Sequence, residues 1–330
     1  MKKIGIIILS MLLIFGCGKE RATKDGKNVS NVSDEKATVK FIFPDGLPAL
    51  SVLGMYSENK QFEDNVNIKY EKAATAETLT GSLLTEDDNI IAIVPSSLAA
   101  QLYNKNMGYK ILGTVSWGSL YLVSSEDISG LADLKNKKTG IIGRGQTPDI
   151  VFRNILSKNN IDVESLDLEY FRSGTELANA LAAGKIKTAV LSEPAASILL
   201  KKNTDIKMIL SLNEEWKKLY SNKYGFPQAT LIAKEGVMKK YPDIAEKLAA
   251  EFEEQNKWLI GEENKEEFLK KAELSIPAAL LPEIIKNSNI NFLSIKETEN
   301  YYLEYYKILS DFDVKTIGGK IPDSGIFYEK

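Results

Sequence analysis

Histidine is absent from this chain of 330 residues, and cysteine occurs once. Without imidazole there is no Ser-His-Asp triad, no Cys-His pair and no His-ligated zinc or haem, which removes most hydrolase and metalloenzyme chemistry. A single cysteine, Cys17, excludes disulfides within the chain and thiolate clusters. An excess of one charge is missing too. Forty-two Lys+Arg oppose 45 Asp+Glu for a formal net charge of −3, and no clustered basic surplus marks a nucleic-acid surface. Arginine is scarce and stands only at Arg21, Arg144, Arg153 and Arg172. What remains is carboxylate chemistry, cofactor chemistry or binding without chemistry, and nothing in the residues calls for a cofactor or a metal. The length predicts about two domains of roughly 150 residues each.

Lys2 and Lys3 precede an uncharged, mostly apolar run over residues 4–15 that stops at Gly16-Cys17. As a helix this run reaches about 18 Å, short of the ~30 Å hydrocarbon layer, so it fits a signal peptide (1–16) better than a membrane span. The lone cysteine at its end resembles the lipobox of bacterial lipoproteins, which implies lipidation at Cys17. The polar segment that follows, 17–36, reads as a flexible tether. The expected location is outside the cytoplasmic membrane, lipid-anchored at the cell surface or in the periplasm.

From Ala37 onward short apolar runs alternate with helical patterns. Strand-like runs at 39–43, 66–70 and 90–94 are followed by a second series at 139–142, 166–171 and 188–191, with helices between. Strands separated by helices imply parallel, doubly wound α/β sheets. Residues 243–309 read as mainly helical and must pack on a sheet already made. The apolar run 224–233 returns the chain to the first sheet. The predicted fold is therefore α/β, with two doubly wound lobes. Lobe 1 spans 37–118 plus 226–330 and carries the helical C-terminal part; lobe 2 spans 119–225. Two crossing segments join them, near Trp117–Val123 and Tyr224–Thr230.

In such sheets ligands sit beyond the carboxyl ends of the strands, where helices start and their free N–H groups point outward. Asp45-Gly46-Leu47 follow the first strand. Ser96 and Ser97 follow the third and supply hydroxyls and an N-cap. Arg144, Gln146 and Thr147 stand in a glycine-flexible loop, with Thr147 as a cap, and Arg172 precedes the Ser173–Glu176 capping-box pattern. Glu193 follows the strand ending at 191, facing either the cleft or the hinge. Asp45 serves either its own turn or a ligand. Arg144 and Arg172 offer planar forks for a carboxylate, sulfonate or phosphate unless they are solvated or paired. Trp117, Tyr121, Tyr224 and Gln228 stand at the crossings, and Trp117 and Tyr224, each beside a glycine, are the aromatics placed to cover a ligand.

The turn at 44–49 (PDGLPA), the strand end at 91–95 (IAIVP), the segment 130–138 (GLADLKNKK), the run 181–190 (LAAGKIKTAV) and Glu193-Pro194 recur in order in one family. On these residues the chain resembles ABC-transporter substrate-binding lipoproteins of the nitrate/sulfonate/taurine type, which also include thiamine-precursor binders. The resemblance implies a two-lobed trap, of the periplasmic-binding-protein-like type II kind, that holds a small molecule between its halves and delivers it to a membrane permease, working as a monomer. The ligand expected is a small organic molecule, anionic or heteroaromatic. The alternative is an enzyme on the same fold, a lyase resembling chorismate dehydratase, with Asp45 or Glu193 as general base. The histidine-dependent pyrimidine synthase related to this family is excluded by composition. A scaffold that serves only as an adhesin or sensor is the third reading.

Overall fold

The computed structural model describes residues 36–261 and 264–329. The expected signal peptide, Cys17 and the tether up to residue 35 lie outside the described residues. From β1 (Ala37–Pro44) the chain runs through α1 (Leu47–Leu50), α2 (Leu53–Ser57), β2 (Val66–Ala73), α3 (Ala76–Leu83), β3 (Ile90–Pro95) and α4 (Ser96–Asn104) to β4 (Tyr109–Trp117). Next come β5 (Leu120–Ser124), β6 (Lys138–Ile142), α5 (Thr147–Lys158), β7 (Asp167–Phe171), α6 (Gly174–Ala182), β8 (Thr188–Ser192), α7 (Ala195–Lys202), β9 (Lys207–Ser211) and α8 (Leu212–Tyr220). The last part holds β10 (Pro227–Lys234), α9 (Glu235–Lys240), α10 (Ile244–Ile260), α11 (Glu266–Ala272), α12 (Leu281–Ser288), β11 (Ile290–Ser294) and α13 (Ile295–Asp313).

The strands form two sheets, one in the order β2-β1-β3-β10-β4-β11 and one in the order β7-β6-β8-β5-β9. Within each, the first three strands are parallel. The fourth runs antiparallel to its neighbours: β10 between β3 and β4, β5 between β8 and β9. The sheets are therefore mixed, which corrects the parallel expectation. The reason is geometric: each fourth strand is the first one laid down after the chain crosses from the other sheet. It enters at the shared end and has to run the opposite way. The mainly helical reading of 243–309 holds in α10 to α13, with one addition: residues 290–294 form β11, an antiparallel edge strand on β4.

Burial follows position. Ile90 to Val94 of β3 are buried without interruption, as expected of a strand covered by helices on both faces. At the edge, β2 begins with buried Val66 and Ile68 alternating with exposed Asn67 and Lys69, the period of two of a half-covered strand. On one face of the first sheet Phe41, Phe43, Phe252 and Phe292 form one apolar cluster. On the other, Ile42, Ala92 and Val94 meet Tyr302 and Tyr306 of α13 in a cluster that continues into Ile150, Phe152, Trp216 and Phe226 of the second half. The aromatic contacts Phe226–Tyr305 (5.9 Å) and Trp216–Tyr305 (6.0 Å) show where α13 enters it. Besides the two crossings, α13 is thus a third tie between the halves. It starts with a full capping box, in which the Ser294 side chain accepts from the Glu297 N–H and the Glu297 carboxylate accepts from the Ser294 N–H.

The crossings are pinned where only glycine fits. Gly118 N–H donates to the Phe226 carbonyl (3.1 Å), and a Cβ at Gly118 would lie 2.2 Å from the Phe226 ring. At Gly225 φ is +98°, and a Cβ there would lie 1.8 Å from Asn213 Oδ1. Buried Asn213, at the start of α8, donates to the Tyr224 carbonyl (3.0 Å) and accepts from Phe226 N–H (3.3 Å).

Candidate functional site

The carboxyl ends of β1 and β3 in one sheet, and of β6, β7 and β8 in the other, carry the loops singled out from the sequence. In the first sheet these loops are mostly occupied by their own fold. Asp45 Oδ1 accepts from Gly46 N–H (2.8 Å), the self-bonded turn, and Leu47 is buried in an apolar cluster with Leu50, Leu53 and Ile284. Ser96 is not an N-cap: it is the first residue of α4, fully buried, and its hydroxyl meets the Pro227 carbonyl (2.8 Å) and Thr230 Oγ1 (2.7 Å). From there a hydroxyl network continues to Tyr302 (2.8 Å) and Thr114 (2.9 Å), because buried hydroxyls need partners. Ser97 remains half-buried.

In the second sheet the ends stay chemically richer. Gln146, exposed, holds the N-cap position of α5 without a side-chain cap bond, and Thr147 is the first helical residue rather than the cap. The Thr147 hydroxyl instead lies 3.4 Å from the Tyr305 hydroxyl of α13, across the two halves. Arg144 is exposed and stacks on the Tyr170 ring at 4.8 Å. Below it buried Asp149 accepts from Gly145 N–H (2.8 Å), Arg153 Nε (2.8 Å) and the Tyr170 hydroxyl (3.0 Å), which fixes the loop. Arg172 is exposed, and its N–H donates to Glu176 (3.0 Å); Ser173 caps α6 as expected, while the returning Glu176 bond lands one residue earlier than a capping box requires.

Glu193 is buried, 4 % exposed. Its carboxylate accepts from the Ser197 hydroxyl (2.7 Å) and the Ser197 N–H (3.3 Å), and Ser197 Oγ accepts from the Asn287 side-chain amide (3.3 Å). Burial pushes the Glu193 carboxyl above the usual carboxylate range, against the lowering effect of the Ser197 donors, and Glu283 nearby adds to the rise. Tyr121, also buried, donates to the Asn287 carbonyl (2.5 Å).

The crossing residues are committed to the segments that join the two sheets. Trp117 is 1 % exposed; its indole N–H donates to the Asn291 carbonyl (3.0 Å), and its ring packs on Tyr224 (5.2 Å) and Tyr301 (5.3 Å). The expected covering pair Trp117 and Tyr224 therefore closes on itself. Gln228 Oε1 accepts from Ser119 N–H (2.8 Å), linking one crossing to the other. The residues the sequence reading missed are Ser197, Asn287 and Tyr305. Asn287, Asn289 and Asn291 recur at every second position from the end of α12 into β11, and that spacing was the available signal.

Among the described residues no group of three or more His, Cys, Asp or Glu is placed to hold a metal ion, and no helix is long and apolar enough to cross a membrane. A hollow of about 490 Å³ lined by Lys110, Glu235, Met238 and Phe327 sits at the amino end of β4 and the carboxyl end of β10, and none of the loops singled out from the sequence lines it. The strand ends remain the better candidate, because side chains carried by the two sheets meet there: the Asn287 amide with Ser197 (3.3 Å), Tyr121 with the Asn287 carbonyl (2.5 Å) and Tyr305 with Thr147 (3.4 Å).

Residues 110–261 match the family described as NMT1/THI5 like. No curated protein matches the chain significantly. Among solved structures the chain is similar to an ABC transporter protein from Parabacteroides distasonis, with 26 % identity, 89 % of this chain and 100 % of that one covered, and a TM-score of 0.77. It is similar in fold to the periplasmic aliphatic sulphonate-binding protein SsuA of Escherichia coli (11 % identity, 89 % and 92 % covered, TM-score 0.68). The periplasmic nitrate-binding protein NrtA of Synechocystis PCC 6803 shares the fold as well (14 %, 88 % and 84 %, TM-score 0.56). The resemblance to ABC-transporter substrate-binding proteins is borne out, and so is the periplasmic-binding-protein-like α/β fold with a helical C-terminal part.

Proposed function

We propose that this chain is the solute-binding component of an ABC importer, taking a small organic molecule between its two sheets and presenting it to a membrane permease. The observation that carries this reading is the pairing of two sheets of like order, β2-β1-β3-β10-β4 and β7-β6-β8-β5-β9, joined by two crossings of the chain. The structural neighbours, binding components for sulphonate and nitrate, support it over an enzyme. So does the candidate base Asp45, which is spent on its own turn. The mechanism is hinge closure. Contacts to ligand from both halves coexist only when the halves are together, so binding shifts the population by the differential affinity, about 1.4 kcal/mol per tenfold.

Of the two ligand chemistries open from the sequence, a heteroaromatic molecule with N–H donors is favoured over a simple anion. Of the two buried carboxylates at the strand ends, Asp149 is neutralised by Arg153 whereas Glu193 has no cation bonded to it among the described residues, and the guanidinium-bearing residues Arg144 and Arg172 are exposed. The protein works as a monomer outside the cytoplasmic membrane, held there by lipid on Cys17. Thermal-shift screening against thiamine precursors, flavins, sulfonates and carboxylates, followed by small-angle scattering with each stabilising compound, tests the reading. A bound compound is expected to raise Tm and reduce the radius of gyration. Compounds that raise Tm with no change in the radius of gyration overturn hinge closure.

A further inference from the structure

We infer that Asn287, at the end of α12, is a positioning residue for Glu193 that acts only while the two halves are together, so that assembly of the site and closure are a single event. The inference rests on the solute-binding reading for its meaning, but its geometry stands alone. α12 leads directly into β11 of the first sheet, whereas Tyr121, Glu193 and Ser197 belong to the second sheet and its helix α7.

A serine hydroxyl has one proton. Ser197 gives it to Glu193 Oε1 at 2.7 Å, so the Asn287 amide, at 3.3 Å from Ser197 Oγ, must be the donor in that contact. The bonds therefore run one way, from Asn287 through Ser197 to Glu193, and each polarises the next. On its other side Asn287 offers one of the last carbonyls of α12, a group with no partner inside the helix, and the Tyr121 hydroxyl satisfies it. The segment cannot swing freely. Asn289, in the left-handed conformation at φ 50°, donates its amide to the Gly118 carbonyl (2.6 Å), and its own carbonyl accepts from Trp117 N–H (3.1 Å). Alongside, Ile198 of α7 packs against the apolar cluster of Leu47 and Ile284 from the first half. One short segment of the first half is thus bonded to the hinge on one side and gripped by two hydroxyls of the second half on the other. If the halves part, Ser197 loses its donor and water reaches Glu193, so the carboxylate is aimed only in the joined state.

The test uses the full chain with Cys17→Ser, spin labels on cysteines placed at exposed Lys105 and Lys185, and no added ligand. Pulsed dipolar spectroscopy on the otherwise unaltered chain should resolve a shorter, closed distance and a longer, open one. Asn287→Ala and Tyr121→Phe should each shift weight to the longer distance, about a fivefold rise in the open-to-closed ratio for each bond removed. Tyr121→Phe removes a single hydroxyl and carries the test alone should Asn287→Ala fail to fold. In a chain labelled with [13C]glutamate, the Glu193 carboxyl signal, assigned through its loss in Glu193→Gln, should titrate closer to an ordinary carboxylate in Tyr121→Phe, which parts the halves without removing a donor that lowers it, and stay unmoved in Lys296→Ala. Distance distributions in the variants that superimpose on the parent, or an unmoved Glu193 signal, overturn the inference. Because no ligand is present, such a result leaves solute binding standing, and a solute screen without hits leaves this result standing.

Discussion

At the ends of the first sheet the polar side chains are turned back on the fold: Asp45 bonds its own turn, and Ser96 is sunk in a hydroxyl network with Thr230 and Tyr302. At the ends of the second sheet the same topology leaves the Glu193 carboxylate bonded to Ser197 of α7, which in turn accepts from Asn287 of the other half, while Arg144, Arg172 and Gln146 stand exposed. Two sheets of like order thus divide the work. The first is a fixed floor, and the second brings the groups whose surroundings change when the halves meet. A hinge needs this asymmetry, because a loop already spent on its own framework has nothing left to give a ligand.

The comparison can be broken most severely at Asp149, the one buried carboxylate that fixes a second-sheet loop. Asp149→Ala strands Arg153 and frees Gly145 N–H, and urea unfolding should show a loss of about 3–5 kcal/mol. A loss below ~1 kcal/mol would mean that the loop is held by other means. Next comes the floor itself. Tyr302→Phe removes the shared partner of Thr114 and Thr230 and should cost about 1–3 kcal/mol by the same measurement, without altering any ligand-induced change in compactness.

Glu193 sharpens the contrast through pH. Its carboxyl is raised by burial, so the folded protein keeps that proton to higher pH than the unfolded chain does. Between the ordinary carboxylate value and the raised one the native state binds more protons, and this contribution to stability declines as pH rises. Glu193→Gln has no such proton. Relative to it, the parent should lose stability with increasing pH across that window and then level off; parallel curves from pH 4 to 8 would show that Glu193 is hydrated. The smallest effect belongs to the rim. Arg144 rests on Tyr170 in the open, so Arg144→Ala should change stability by no more than ~0.5 kcal/mol, measured as the shift of the urea midpoint.

Much of this was legible in the residues. The strand runs at 39–43, 66–70, 90–94, 139–142 and 188–191 fall within strands of the fold, because a central strand covered on both faces is apolar throughout and a half-covered edge strand such as β2 alternates. β11 was not legible. Ile290 to Ser294 is a short run between helices, and only the open edge of β4 turns it into a strand. Within the candidate site, the loops at Asp45, Ser96, Thr147 and Glu193 were found from their turn and cap residues, but what each side chain touches was not. Ser96 and Thr147 show why: a Ser or Thr at a helix start can bond its own backbone or a distant hydroxyl, and the choice depends on what packs above it. Asn287 and Ser197 were missed altogether, since they meet across 90 positions of sequence.

The order of the elements, the absence of imidazole and thiol chemistry, and the places where strands give way to helices were settled by local composition and periodicity, which act over a few residues. Which carboxylate is buried, which guanidiniums stay in water and which helix ties the halves together were decided only by packing. Dehydration and hydrogen-bond partnership are properties of neighbours in space, and in this chain the decisive neighbours come from opposite ends of the sequence.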